Sequence, residues 1–326
     1  MGRRAFDRVN IGLRNIMKPI PAFFKLVRWP NLVFIVLTQV LFQFCIYAPV
    51  YRNNIPVKDT FQFVLLVIAS VFIAAGGNII NDYFDMNIDR INKPGKMIIG
   101  KYINRRWALV WHMGLSLLGI LLTAIAVNPF SRWYLVVANV ICVVLLWFYS
   151  VRFKKDTLIG NVVVSLLTAW TIMIIFLSKF SFSDAFHNTR PEQLKLFRFA
   201  VLYSGFAFII SLIREAIKDI EDIAGDQKYG CKTMPIVWGI NATKVYVAVW
   251  LMLLICLLIV VQVYILQLGW WIDVVYCLVF IILPALYLFR KLIAAGTPKE
   301  YHFLSTLTKA IMLTGILSMA LFYFHL

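Results

Sequence analysis

The sequence predicts an all-α bundle of about nine transmembrane helices with its N-terminus in the cytoplasm, and three observations carry that reading. First, 62% of the 326 residues are hydrophobic and only 14% are charged. With a mean hydropathy of +0.83, this is more apolar surface than one soluble core can enclose. Second, runs of about 20 apolar residues, enough to cross about 30 Å of hydrocarbon at the helical rise, recur along the whole chain. Third, basic residues gather in alternate connections between those runs.

Taken in order, residues 1–30 hold seven basic residues interleaved with Phe6, Ile11, Leu13, Ile16, Phe23, Phe24 and Leu26. They show neither a compact apolar run nor a small-residue cleavage site, so a basic helix lying on anionic membrane lipid is expected rather than a cleavable signal. Spans follow at 31–49, 61–81, 106–127, 133–150, 157–178, 197–218, 243–266, 270–289 and 305–325. The second and sixth end in polar residues, which is where a membrane protein carries function. Residues 31–326 therefore form a single transmembrane domain with no soluble domain left over.

A net charge of +17 raises the possibility of a nucleic-acid partner, and the positions of the 32 Lys and Arg residues decide against it. With the N-terminus inside, 24 of them fall in the cytoplasmic tail, loops and adjoining helix ends, seven fall on the other side, and Lys309 lies within the last span. That distribution is the positive-inside pattern, and it assigns an orientation with the C-terminus outside; an integral protein of the cell's inner membrane with its active site facing the cytoplasm is expected. Cysteines at 45, 142, 231, 256 and 277 have no CxxC spacing, and the four histidines form no zinc-type pair. Redox and zinc chemistry have no support.

Eight of the fifteen carboxylates sit in two places. Asp82, Asp85 and Asp89 lie in NDYFDMNIDRINKP, residues 81–94, and Glu215, Asp219, Glu221, Asp222 and Asp226 lie in REAIKDIEDIAGD, residues 214–226. Around a helix, Asn81, Asp85, Asp89 and Asp82 fall at roughly 0°, 40°, 80° and 100°, so they share a face. Asp222, Glu215, Asp226 and Asp219 fall within about 60° of one another, with Gly225 a candidate helix break just before Asp226. Such faces repel unless cations are present. All-oxygen donors suit magnesium, which completes its shell with phosphate oxygens, so a diphosphate substrate is expected. The bland alternative is a pair of solvated interfacial charge clusters. The 137-residue separation of both 85 from 222 and 89 from 226 weighs against it and hints at two related halves.

With those positions in hand, the chain resembles the UbiA superfamily of intramembrane prenyltransferases over essentially its full length. Asn81, Asp85 and Asp89 meet the family pattern NxxxDxxxD, and Asp222 and Asp226 meet its second pattern, DxxxD. YSVRFKKDTLIGN, residues 149–161, and GCKTMPIVWG, residues 230–239, are similar to two further family stretches. Within the family, the acidic motifs look most like those of enzymes that add a second geranylgeranyl chain to geranylgeranylglyceryl phosphate. Where those enzymes continue with an Arg-Pro, Pro-Ser-Gly, Arg run, this chain has GKMIIGKYINRR, residues 95–106, which leaves the acceptor open.

The resemblance implies magnesium-dependent transfer of a prenyl group from a polyprenyl diphosphate to a lipid or aromatic acceptor. Asn81, Asp85, Asp89, Asp222 and Asp226 are the expected magnesium ligands, supported by Asp82 and Asp219. Lys154 and Lys218 are expected at the diphosphate, with Arg152 and Lys93 as weaker candidates, because charge develops on the leaving group where water is excluded. Tyr149 could hydrogen-bond a phosphate or face a cation with its ring. An aromatic quinone precursor, dihydroxynaphthoate or hydroxybenzoate, is the alternative acceptor. A cation-coupled transporter is the rival from another class, although transporters place their acids near the bilayer midplane rather than at helix ends. CDP-alcohol phosphotransferases share DxxxD, but their upstream Asp-Gly and Ala-Arg are absent before Asp85 and Asp222.

Overall fold

The computed structural model describes residues 19–52, 56–92, 97–127, 132–180 and 190–326. Most of the basic segment expected on the lipid surface, residues 1–18, lies outside the described residues; its last part forms a short helix, α1 (Pro19–Leu26). Nine spans follow among the described residues, each long and apolar enough to cross a membrane. They are α2 (Trp29–Val50), α3 (Val57–Asn92), α4 (Arg105–Ala126), α5 (Trp133–Val151), α6 (Ile159–Ser178), α7 (Pro191–Glu221), α10 (Ile240–Gln267), α11 (Trp271–Ala294) and α12 (Pro298–Phe324). Between α7 and α10 lie two short helices, α8 (Ile223–Lys228) and α9 (Met234–Val237).

The two motif-bearing helices run longer than hydropathy suggests. The 36 residues of α3 rise about 54 Å, well beyond about 30 Å of hydrocarbon. Hydropathy stops reading at the first acid, but nothing in NDYFDMNIDRIN breaks a helix, and Asp85 and Ile88 are buried against neighbours. The first motif is therefore the rigid continuation of a membrane span. On α7, Pro191 occupies the first turn, where its missing N–H costs nothing, and the helix ends at Asp222, whose backbone leaves helical geometry at φ −92° and ψ 4°. The expected break at Gly225 thus falls three residues earlier, and Asp226 begins no new loop but sits within α8.

Small residues set how closely the spans approach. A Cβ on Gly119 of α4 would lie 2.6 Å from Ile73 Cγ1 of α3, and one on Gly76 would lie 2.8 Å from Ser116 Oγ, so these two helices meet nearly backbone to backbone. The last span opens with a capping box in which Glu300 Oε2 accepts from Thr297 N at 2.8 Å and the Thr297 hydroxyl accepts from Glu300 N. α10 and α11 pack on the outside of α7 and α12 through Ile213, Ile217, Val247, Leu251, Ala285 and Leu304. The end of the bundle remote from the acidic motifs is closed by Phe42, Phe63, Leu135, Phe176, Leu196 and Phe322.

Candidate active site

Lined by α1, α2, α3, α5, α6, α7 and α12, a cavity of about 1460 Å³ opens at the motif end of the bundle. It exceeds the usual range of about 300–1,000 Å³ for a single drug-sized ligand. Asn81, Asp82, Asp85 and Asp89 line it from α3, and Asp219, Asp222 and Asp226 line it from the α7–α8 junction. The two motifs, far apart in sequence, thus share one chamber. Tyr149, Lys154 and Lys218 line the same chamber.

Asn92 joins the motifs directly. Its Nδ2 donates to the Asp222 carbonyl at 3.0 Å, and its Oδ1 accepts from Gly225 N at 2.8 Å. A Cβ on Gly225 would lie 2.4 Å from Asn92 Oδ1, so the glycine is there for this contact rather than to break the helix. Asp82, Asp85 and Asp219 have fixed neighbours as well. Asn81 donates through Nδ2 to Asp85 Oδ2 at 2.8 Å, the only amide orientation that does not set oxygen against oxygen. Lys154 donates to that same carboxylate oxygen. Arg28 pairs with Asp82 at 2.5 Å, and Asn161 donates to Asp219 Oδ2 at 2.9 Å.

Burial works against the Lys154 ammonium, but the Asp85 charge and hydrogen bond outweigh it and hold its pKa above the usual lysine range. Lys154 is therefore charged throughout neutral pH. It is positioned by a single 3₁₀ turn, Phe153–Lys155, on which Gly160 packs so closely that a Cβ would stand 2.6 Å from the Phe153 carbonyl oxygen. The two minor stretches noted in the sequence meet here: Lys232 N donates to the Lys155 carbonyl at 2.7 Å, and Thr157 Oγ1 donates to the Lys232 carbonyl at 3.0 Å.

Arg152 does not belong to this set. It caps α5 where the chain turns, its side chain is 78% exposed, and among the described residues it reaches only Asp156, at 4.0 Å, so it serves the positive surface rather than the cavity. Lys93 lies outside the described residues. Conversely, Arg28 looked like one more topology charge in the sequence, and Asn92 had no signal beyond its place at the end of the first motif. Glu215 was visible within the second acidic cluster, and the structure gives it Arg214 at 2.6 Å and Lys218 at 3.3 Å.

The residues fit an oxygen-seeking cation. Among the described residues Asn81 Oδ1 is buried without a hydrogen-bond partner, the unmatched acceptor such an ion would satisfy. Among the described residues no three Asp, Glu, His or Cys side chains converge closely enough to cage a metal by themselves. Magnesium is ordinarily held by one or two carboxylates together with water and substrate phosphates, which is what two facing acidic walls across a chamber provide.

Nine apolar spans among the described residues, packed around a polar chamber, define an integral membrane protein. More particularly, the chain belongs to the UbiA prenyltransferase family, whose pattern matches residues 32–323. It is 31% identical to the digeranylgeranylglyceryl phosphate synthase of Methanosphaera stadtmanae over 254 residues, 77% of this chain and 84% of that one. It is 35% identical to the synthase of the same name from Methanopyrus kandleri over 176 residues, 54% of this chain and 58% of that relative's length. The solved structure of a digeranylgeranylglyceryl phosphate synthase superposes with a TM-score of 0.61 at 23% identity, covering 94% of this chain and 99% of that one. A UbiA homologue from Archaeoglobus fulgidus, bound to DMAPP and Mg2+, gives 0.55 at 16% identity, with coverage of 91% and 99%; both likenesses establish the fold.

Proposed function

We propose that this chain is a magnesium-dependent prenyltransferase that moves a geranylgeranyl group from its diphosphate to geranylgeranylglyceryl phosphate. The observation that carries the reading is the convergence of Asp85 and Asp222 on one chamber, with Lys154 held against Asp85. The name of the two relatives supports the choice of acceptor. The positive-inside distribution supports a chamber that opens to the cytoplasm. The motif helices are the second and sixth spans and the two longest, in keeping with a chain made of two related halves.

In this reading Asn81, Asp85, Asp89, Asp222 and Asp226 hold magnesium, with Asp82 and Asp219 beside them. The metal, when bound, would stabilise negative charge on the departing diphosphate. The residues of the chain do the rest. Lys154 and Lys218 add positive charge where water is scarce, and Arg28 and Asn161 fix the direction of Asp82 and Asp219 so that they need not reorganise during the reaction. Tyr149, under the electrostatic influence of Glu215, Asp85 and Asp219, presents its ring and hydroxyl between the two acidic walls. Apolar side chains such as Ile73, Leu146, Leu167 and Ile210 continue the chamber and keep water from the reacting carbon.

Purified protein given radiolabelled geranylgeranyl diphosphate and geranylgeranylglyceryl phosphate should release diphosphate and form a doubly prenylated lipid only when magnesium is supplied. Turnover with hydroxybenzoate or dihydroxynaphthoate instead, or undiminished turnover in excess chelator, would refute the proposal.

A further inference from the structure

The sequence leaves one charge in the last span unexplained. Lys309 lies eleven residues into α12 among apolar neighbours, and a half-buried lysine within a membrane helix marks a functional site by default. It lines the same chamber as the acidic motifs. Its Nζ donates to Asn31 Oδ1 at 3.1 Å, a neutral partner at the start of α2, and among the described residues no carboxylate lies within ion-pair distance. The charges acting on it include Arg214 and Lys218 of α7, Arg28 and Glu215.

That wall is rich in positive charge. Glu215 is already shared by Arg214 at 2.6 Å and Lys218 at 3.3 Å, so it cannot also neutralise Lys309. Arg214 Nε is buried and has no hydrogen-bond partner among the described residues, a further donor left over. Like charges gathered away from water need an anion as surely as the carboxylates opposite need a cation. A carboxylate would satisfy two donors, whereas a phosphate monoester presents three oxygens and up to two negative charges to the cluster.

We infer that Lys309, Asn31 and Arg214 form a second anion subsite, separate from the acidic walls, that holds the phosphate monoester of the acceptor lipid. The inference rests on the prenyl-transfer reading above and adds to it the group that selects the acceptor. Donor and acceptor head groups then occupy different parts of one chamber: the diphosphate sits with magnesium between the aspartates of α3 and those of the α7–α8 junction, and the monoester sits where the start of α2 meets Arg214 of α7 and Lys309 of α12. Lys309 is thereby a specificity residue, and Asn31 is a positioning residue acting through it.

The test compares the phosphorylated acceptor with its phosphate-free alcohol in wild type, Lys309→Met and Lys309→Arg. Wild type should prefer the phosphorylated lipid in kcat/KM by about tenfold or more. Lys309→Met should erase most of that preference by raising KM for the phosphorylated acceptor, while KM for the donor holds, and Lys309→Arg should restore it. Methionine is compatible with an apolar helix, and the arginine variant keeps the charge, so at least one variant reports on a folded protein. A rise in donor KM, or an equal loss on both acceptors, would overturn the subsite. Wild-type turnover on a carboxylated aromatic but not on the phosphorylated lipid would overturn the functional reading itself, and that result is seen before any variant is made.

Discussion

Both ends of this bundle bury ion pairs, and they use them in opposite ways. At the end remote from the motifs, Lys179 is 3% exposed, pairs with Asp59 at 2.9 Å, and lies 4.4 Å from the centre of the Tyr47 ring. Burial lowers its pKa, and the Asp59 charge only partly offsets this. Lys179 and Asp59 meet as a close pair, with Arg132 acting on Lys179 from farther off; aromatic rings cover the pair, and Phe63 and Phe176 close the surrounding core. At the motif end the charges line a chamber instead. They are shared unequally among neighbours, and polar atoms of the chamber's lining residues such as Arg214 Nε and Asn81 Oδ1 have no hydrogen-bond partner among the described residues. A balanced, covered pair fixes a fold, whereas an unbalanced set around a cavity is built for a ligand that carries the missing charges.

That contrast can be broken or sharpened by substitution. The largest effect is expected for Asp85→Ala or Asp222→Ala, which should abolish turnover, a loss of about a thousandfold or more, while thermal unfolding in detergent stays close to wild type. Retained turnover in either variant would remove the aspartates from the reaction. Next comes Gly225→Ala, whose Cβ collides with Asn92 and pushes the second motif from the first. Displacement of that order should lower kcat about a hundredfold. Combining it with Asn92→Ala should cost little beyond Asn92→Ala alone, because the clash and the two hydrogen bonds share one partner.

At the opposite end the readout should reverse. Lys179→Met leaves the part-buried Asp59 without its close cation, so stability should fall by about 3 kcal/mol in denaturant or thermal titrations, with kcat of the folded fraction within about twofold of wild type. A large loss of kcat there would end the division between structural and ligand-facing charge. The smallest effect is expected for Arg152→Ala, whose exposed side chain touches only Asp156. Activity and unfolding should both stay within about twofold and about 0.5 kcal/mol of wild type, measured side by side.

The spans were legible because a bilayer asks only for length and apolarity, and all nine expected segments have counterparts among the described helices. The end of α3 was not, since the hydropathy reading stops before Asp82, the first acid, while the helix continues for as long as its backbone and packing allow. Asn81, Asp85, Asp89, Asp222 and Asp226 stood out by spacing, a local property of helices. Arg28 and Arg152, by contrast, look alike in sequence, each a basic residue flanking a span, yet one meets Asp82 in the chamber and the other faces outward.

By itself, then, the sequence determined that the chain lives in a membrane, how many times it can cross, and which acids are arranged to need a cation, because composition and helical period act over a few turns. Only the tertiary structure decided that motifs 137 residues apart share one chamber. It alone set Asn92 as the tie between them and turned the lone Lys309 toward Asn31 and the charges of α7. Those pairings depend on which faces of distant helices pack together, and each helix's own residues specify its face but not its neighbour.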